Sequence, residues 1–267
     1  MDIVQLLILF VAGCAAGFLA GFFGVGGGII LVPILLYFYQ STGVSSLVAT
    51  HLAFGTSLLI IIFASFSSAY EYQKNGHVVW RAVFIIGLAS VLGALGGATI
   101  ASAISGKALQ RIFGVVVLIA ALRLLSEQRK PKGELKPKLG VPGLALTGLV
   151  VGLLSSLAGV GGGIFSIPIM YSMLHFPLKR ALGTSSATIV ITAVAGTTGY
   201  MLRGMGNSLL PNFTLGYVDW LHALPVIIGT VMLARVGASV ANKTDTVLLR
   251  KIFAMFLFVM AAKMLFV

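Results

Sequence analysis

The chain of 267 residues is 58% hydrophobic and 9% charged, with a formal net charge of +12. A soluble domain carries about 25% charged residues, so there is too little polar surface here to face water all round, and the composition points to an integral membrane protein. Lys and Arg lie between apolar runs rather than on one face with interleaved aromatics. That pattern is the basic bias of cytoplasmic loops beside membrane lipid, and it argues against a nucleic-acid partner.

The first apolar segment, 3–23, opens like a signal sequence, and Val11-Ala12-Gly13-Cys14 resembles a lipoprotein cleavage box. Its leading region holds Asp2 and no Lys or Arg, the wrong sign for a secretory signal. An uncleavable counterpart, Leu144 to Ala158, sits in the second half, so 3–23 is predicted as a transmembrane helix. Cys14, the single cysteine, excludes an intramolecular disulfide and is predicted to pack.

The hexapeptide Gly24-Val25-Gly26-Gly27-Gly28-Ile29 follows, with Pro33 behind it. Three consecutive glycines break a helix, and backbone freed at membrane depth is tolerated only where it is buried in protein or lines a cavity. The apolar piece after it, 29–40, falls short of the roughly 20 residues that a span needs and reads as a half-helix or re-entrant segment. Segments 46–70, 79–104 and 108–126 complete the first half. From Glu127 to Lys138 the chain is charged, contains Pro131 and Pro137 and has no apolar period, which marks a cytoplasmic linker. The second half repeats the series as 140–158, 164–176, 181–202, 217–241 and 247–266, with Gly159-Val160-Gly161-Gly162-Gly163-Ile164 ahead of Pro168.

The correspondence extends beyond the glycines. Gly24 and Gly159 stand 135 residues apart, while Ala53-Phe54-Gly55-Thr56-Ser57 matches Ala181-Leu182-Gly183-Thr184-Ser185 at 128, as Tyr72 does Tyr200. Val78-Val79-Trp80 matches Val218-Asp219-Trp220 at 140. The expected fold class is therefore all-α, a polytopic transmembrane helical protein of two homologous repeats, 1–126 and 140–267, joined by the linker 127–139. If each half-helix crosses together with the helix before it, the repeats are inverted; if each returns to its own side, they are parallel. The inverted count places Lys74, Arg81, the linker, Lys179, Arg180, Lys243, Arg250 and Lys251 in the cytoplasm and leaves Lys107 and Arg111 on the other side. The parallel count moves Lys179, Arg180, Lys243 and Lys251 outside, so the positive-inside rule favours inverted repeats.

Helices that begin after Gly28 and Gly163 leave their first N–H groups unpaired toward the break, and the helix dipole makes such an end an anion site. Gly turns with φ > 0 and lets a ligand approach closely, although small residues also serve tight helix packing. Gly26, Gly27, Gly28, Gly161, Gly162 and Gly163 are thus candidate substrate-binding residues, arranged around one anion. Thr56, Ser57, Thr184 and Ser185 can donate to anion oxygens without adding a trapping charge, or can bond back to their own helical turn. His51, Ser186 and Thr188 stand beside these motifs and join the candidates.

The six acids, Asp2, Glu71, Glu127, Glu134, Asp219 and Asp245, all fall at predicted span ends or in loops, which disfavours a cation path or a carboxylate proton relay. Arg123, Arg235 and Lys263 are expected to snorkel to the interface, and Trp80 and Trp220, flanked by His77 and His222, to anchor it. No phosphate loop, metal-ligand spacing or nucleophile–base pair stands in the sequence, so no cofactor, metal or enzymatic activity is expected.

Together, the duplicated Gly-Val-Gly-Gly-Gly-Ile…Pro, Ala-x-Gly-Thr-Ser and Val-x-Trp elements resemble the sulfite exporter TauE/SafE family of bacterial membrane permeases, over essentially the whole chain except the linker. The resemblance implies an inner-membrane transporter for small sulfur-containing anions such as sulfite, sulfonates or sulfoacetate, with the glycines and the Thr and Ser pairs named above as binding residues. Alternating access around an anion held between paired broken helices is the expected mechanism. A carrier of another small carboxylate anion, or a membrane assembly factor without flux, is the alternative. The expected partners are the anionic substrate and membrane lipid, with a homo-oligomer left open.

Overall fold

The computed structural model describes residues 3–104 and 140–266, together with isolated positions between 108 and 122. The linker 127–139, most of segment 108–126, Asp2, Lys107 and Arg123 lie outside the described residues, as do the side chains of Arg250 and Lys263.

Helices α1 (Ile3–Phe23), α2 (Gly28–Ser41), α3 (Ser46–Lys74) and α4 (Trp80–Ala103) form the first half. The second contains α5 (Val141–Ala158), α6 (Gly163–Pro168) with a π-helical turn at Ile169–Met173, α7 (Leu178–Gly204), α8 (Trp220–Lys243) and α9 (Thr246–Phe266). Among the described residues there is no strand, only an isolated bridge between Thr214 and Asp219. Helices α1, α3, α4, α5, α7 and α8 are long and apolar enough to cross a membrane, whereas α2 and the α6 segment are shorter. The protein is thus a helical multi-pass membrane protein. The π turn is the one element the apolar pattern does not announce; it begins directly after Pro168, which has no N–H for the helical ladder.

Helices α3 and α7 form the centre. In their most apolar stretches 83% and 78% of residues are buried, against 28–44% in the other four spans. The two run antiparallel, because Gly55 of α3 abuts Tyr200 of α7 while Gly183 of α7 abuts Tyr72 of α3. Around them, α1 packs parallel to α8, with Gly13 and Gly17 against the Val226 and Thr230 backbones, and α5 packs parallel to α4, with Gly148 and Gly152 against Ile86 and Ser90. A Cβ at Gly17 would stand 2.5 Å from the Thr230 Cα, so these glycines are what lets the helices touch. Each half's first helix thus packs on the other half's fourth. Phe84, Leu88, Leu92 and Leu146 point outward, as a lipid-facing surface requires.

These directions gather Lys74, Arg81, Lys179, Arg180 and Lys243 at one end of the bundle. There Lys179 donates to Asn242 O at 2.6 Å and His77 pairs with the Asn242 side chain at 2.8 Å. Arg235 reaches the same end, its guanidinium 4.8 Å from the Tyr70 ring that also carries Lys74. Arg203, bonded to Thr99, marks the opposite end. Trp80 and Trp220 open α4 and α8 at opposite ends, both partly exposed, as interfacial anchors are.

Candidate functional site

Each glycine run is built the same way. Gly24 and Gly159, both at φ 65, end α1 and α5 in the left-handed conformation. Gly26 and Gly27 then stay left-handed at φ 84, as do Gly161 at 78 and Gly162 at 87, before α2 and α6 begin. The two runs cross in contact. A Cβ at Gly28 would lie 2.5 Å from the Val160 Cα, and one at Gly163 would lie 2.5 Å from the Val25 Cα. Ile61 and Ile189, near the middles of α3 and α7, press their methyl groups against both runs. The breaks therefore meet at mid-bundle.

The first N–H groups of α2 and of α6 are left over. Among the described residues no acceptor stands in hydrogen-bonding geometry to the buried amides of Gly26, Gly27, Gly28 and Ile29, nor to those of Gly161, Gly162, Gly163 and Ile164. Bonding to Gly27 O and Gly162 O resumes only at Ile30 and Phe165. Buried backbone donors are rarely left unpaired in folded proteins. No Lys or Arg is among the described buried residues, so the donors at the crossing are neutral.

Side chains from the two central helices hold the loops crosswise. Ser57 donates to Gly159 O at 2.9 Å and Ser185 to Gly24 O at 3.0 Å, each reaching the run of the opposite half. Tyr72 donates to Gly21 O at 2.9 Å and Tyr200 to Ser156 O at 2.8 Å, which serves carbonyls at the ends of α1 and α5. Thr56 Oγ1 accepts from the Asp219 amide at 2.9 Å, and Thr184 Oγ1 from the Val79 amide at 3.1 Å. Each such buried bond contributes a net of about 0.5–1.5 kcal/mol. All three pairs follow the offsets of the sequence motifs.

The structure thus brings the six candidate glycines together, with Ser57 and Ser185 beside them. Thr56 and Thr184 sit one residue away, engaged with the segments leading into α8 and α4. His51 is not brought to the crossing; its Nε2 is 3.1 Å from Ala101 O and its ring lies on Tyr217. Thr188 bonds back to Thr184 O at 2.8 Å, and the Ser186 hydroxyl is buried without a partner among the described residues.

Two features escaped the reading of the sequence as site components. Tyr72 and Tyr200 were visible as a matched pair, yet without the fold nothing tied them to the breaks. Asp219, at the start of α8, is the buried acid among the described residues, at 2% exposure. Its Oδ1 accepts from the His222 amide at 3.0 Å, its Oδ2 pairs with the His222 ring, and Tyr39 reaches the same cluster through Thr56 at 3.2 Å. The signal for it is that Val79 occupies the matched position in the first half.

Residues 9–264 match the sequence profile of the family described as Sulfite exporter TauE/SafE. Similar full-length proteins are a probable membrane transporter protein of Haemophilus influenzae, 30% identical over 97% of each chain, and one of Methanocaldococcus jannaschii, 29% identical over 98% of this chain and 96% of its own. Another, from Bacillus subtilis, is 30% identical over 91% of each chain. No solved structure matches the chain.

Proposed function

Since the chain belongs to the sulfite exporter TauE/SafE family and is a membrane transporter rather than an enzyme, we propose that it is a secondary carrier of a small sulfur oxyanion, sulfite or an organosulfonate, bound where the two glycine runs cross. The observation that carries this reading is the set of buried, unpaired amides at mid-bundle, in a setting without a buried carboxylate beside them. Amide donors at a helix N-terminus suit an anion, and a neutral site binds it without trapping it.

The mechanism we propose is alternating access around this crossing, with two inverted repeats. The antiparallel pairing of α3 with α7 supports inversion, because equivalent helices of a parallel duplication would run the same way. The crosswise straps of Ser57 and Ser185 support it too, since each half holds the other half's loop. With the basic end in the cytoplasm of a bacterial inner membrane, a potential negative inside favours export of an anion by about 2.3 kcal/mol per charge per 100 mV. The test is uptake of radiolabelled sulfite into liposomes holding the purified protein, with sulfonates and small carboxylates as competitors. Saturable uptake blocked by sulfonates supports the reading. Uptake no faster than in protein-free liposomes, under imposed pH and voltage gradients, refutes it.

A further inference from the structure

Helix α3 turns one stripe, Ser57, Ile61 and Ser65, toward the crossing. Ser57 is tied to Gly159 O, and Ile61 packs on Gly26, Gly28 and Gly161. Ser65, one turn further along, is fully buried, and its hydroxyl has no hydrogen-bond partner among the described residues. That oxygen stands 3.1 Å from the point where a Cβ of Gly26 would lie, so it faces the first break, where the amides of Gly26, Gly27, Gly28 and Ile29 are also unpaired. A hydroxyl and four amides, all buried donors without acceptors among the described residues, thus lie at one break.

The second break has the matching four unpaired amides, those of Gly161, Gly162, Gly163 and Ile164, but different side chains face it. The residue matched to Ser65 is Ala193, and the three atoms nearest a Cβ at Gly161 are methyl carbons of Ile61 and Ile189. Ser155, near Gly162, also has a buried hydroxyl without a partner among the described residues, but it presents its Cβ there at 3.3 Å rather than its oxygen. The helix that follows is also shorter. Regular α-helix lasts 14 residues after the first break but only 6 after the second, where the π turn takes over, so the first break opens the longer run of regular helix.

We propose that the anion's primary seat is the first break, at the N-terminus of α2, and that the Ser65 hydroxyl is its side-chain ligand there. The near-symmetric scaffold then carries an asymmetric site, and Ser65 against Ala193 sets which loop holds the substrate. This rests on the reading of the protein as an anion carrier.

Ser65→Ala removes a hydroxyl that makes no bond in the protein alone, so melting without anion is expected to stay at the wild-type value. The KM for sulfite uptake into liposomes rises about tenfold or more with kcat little changed, the scale of one lost hydrogen bond to a charge. Stabilisation of the purified protein by sulfite shrinks in parallel, and Ser65→Thr, which keeps the donor, restores both. A melting temperature lowered without anion, with KM unchanged, would assign Ser65 a structural role and overturn the inference. So would wild-type KM and wild-type sulfite stabilisation in Ser65→Ala, which leave the carrier reading standing. If the wild-type protein shows neither saturable flux nor stabilisation by any oxyanion, both readings fall together.

Discussion

Replacing Gly28 by Ala tests the crossing with one methyl group. Gly28 opens α2 with an ordinary helical φ, so alanine there meets no backbone strain, and helix propensity alone favours it by about 0.5–1 kcal/mol. The added Cβ, however, lies 2.5 Å from the Val160 Cα, 2.7 Å from Ile61 Cδ1 and 3.0 Å from Gly159 O. The Ile61 methyl can swing away. The Val160 backbone cannot, because its N–H is bonded to Ser155 O at 3.2 Å and the neighbouring Gly159 O is held by Ser57. Carbon pairs rest at about 3.5–4.0 Å, so one loop must retreat by about 1 Å, and overpacking of this kind costs about 1–3 kcal/mol. Gly163→Ala repeats the clash from the other side, against the Val25 Cα at 2.5 Å and Gly24 O at 2.9 Å. Both variants are expected to melt below wild type in detergent and to lose flux, since a donor moved by 1 Å no longer sits at about 2.7–3.2 Å from its acceptor. Gly96→Ala, inside α4 with nothing within 4 Å of the new methyl, is the control and is expected to melt at or slightly above wild type and to keep its flux. If Gly28→Ala and Gly163→Ala melt and transport like Gly96→Ala, the loops do not cross as described.

Tyr72→Phe and Tyr200→Phe each leave a buried carbonyl, Gly21 O or Ser156 O, without its donor, and are expected to destabilise by about 1–3 kcal/mol apiece in thermal unfolding; equal melting in wild type and both variants would remove the tyrosines from the account. Asp245 is exposed and caps α9, and the Leu248 and Val247 amides, with Lys179 nearby, hold its carboxyl below the ordinary value of 3.8. Because the folded value is depressed, the cap's contribution is fully present above the unfolded value and is lost as pH falls through the folded one. A carboxyl carbon titration by NMR should give a midpoint below 3.8, and one at or above it contradicts the cap. In a Cys14→Ser background, membrane-impermeant thiol reagents should reach Lys74→Cys and Arg203→Cys, at the C-terminal ends of α3 and α7, from opposite sides; labelling of both from one side would overturn the antiparallel arrangement of equivalent helices.

Much of this architecture was legible because its signals are local. Apolar runs bounded by glycine, proline and charge placed every described helix to within a few residues, and the Gly-Val-Gly-Gly-Gly-Ile runs marked the breaks. The partner of each break was not legible. That Ser57 and Ser185 spend their hydroxyls on the opposite half's loop depends on α3 and α7 lying antiparallel, which no periodicity within one helix encodes. Ser65 was missed for a related reason. It lies outside the duplicated motifs, opposite an alanine in the other half, and it became conspicuous only when its burial, its missing partner and its closeness to Gly26 appeared together. Asp219 looked like a residue at a span end; it is one, but folding closes Tyr39, Thr56 and His222 over it.

The most direct test of the central claim observes the break amides themselves. Labelling valine with carbonyl 13C and glycine with 15N selects four amides in this sequence, Gly26, Gly152, Gly161 and Gly237, each preceded by valine. Two lie in the breaks, and two lie in helix contacts as internal controls. Solid-state NMR of the protein in lipid, titrated with sulfite, should move the Gly26 amide most and Gly161 less, saturably, while Gly152 and Gly237 stay in place. Four unchanged amides at concentrations that saturate transport, or shifts as large at the controls as at Gly26, would contradict an anion site at the crossed glycine runs.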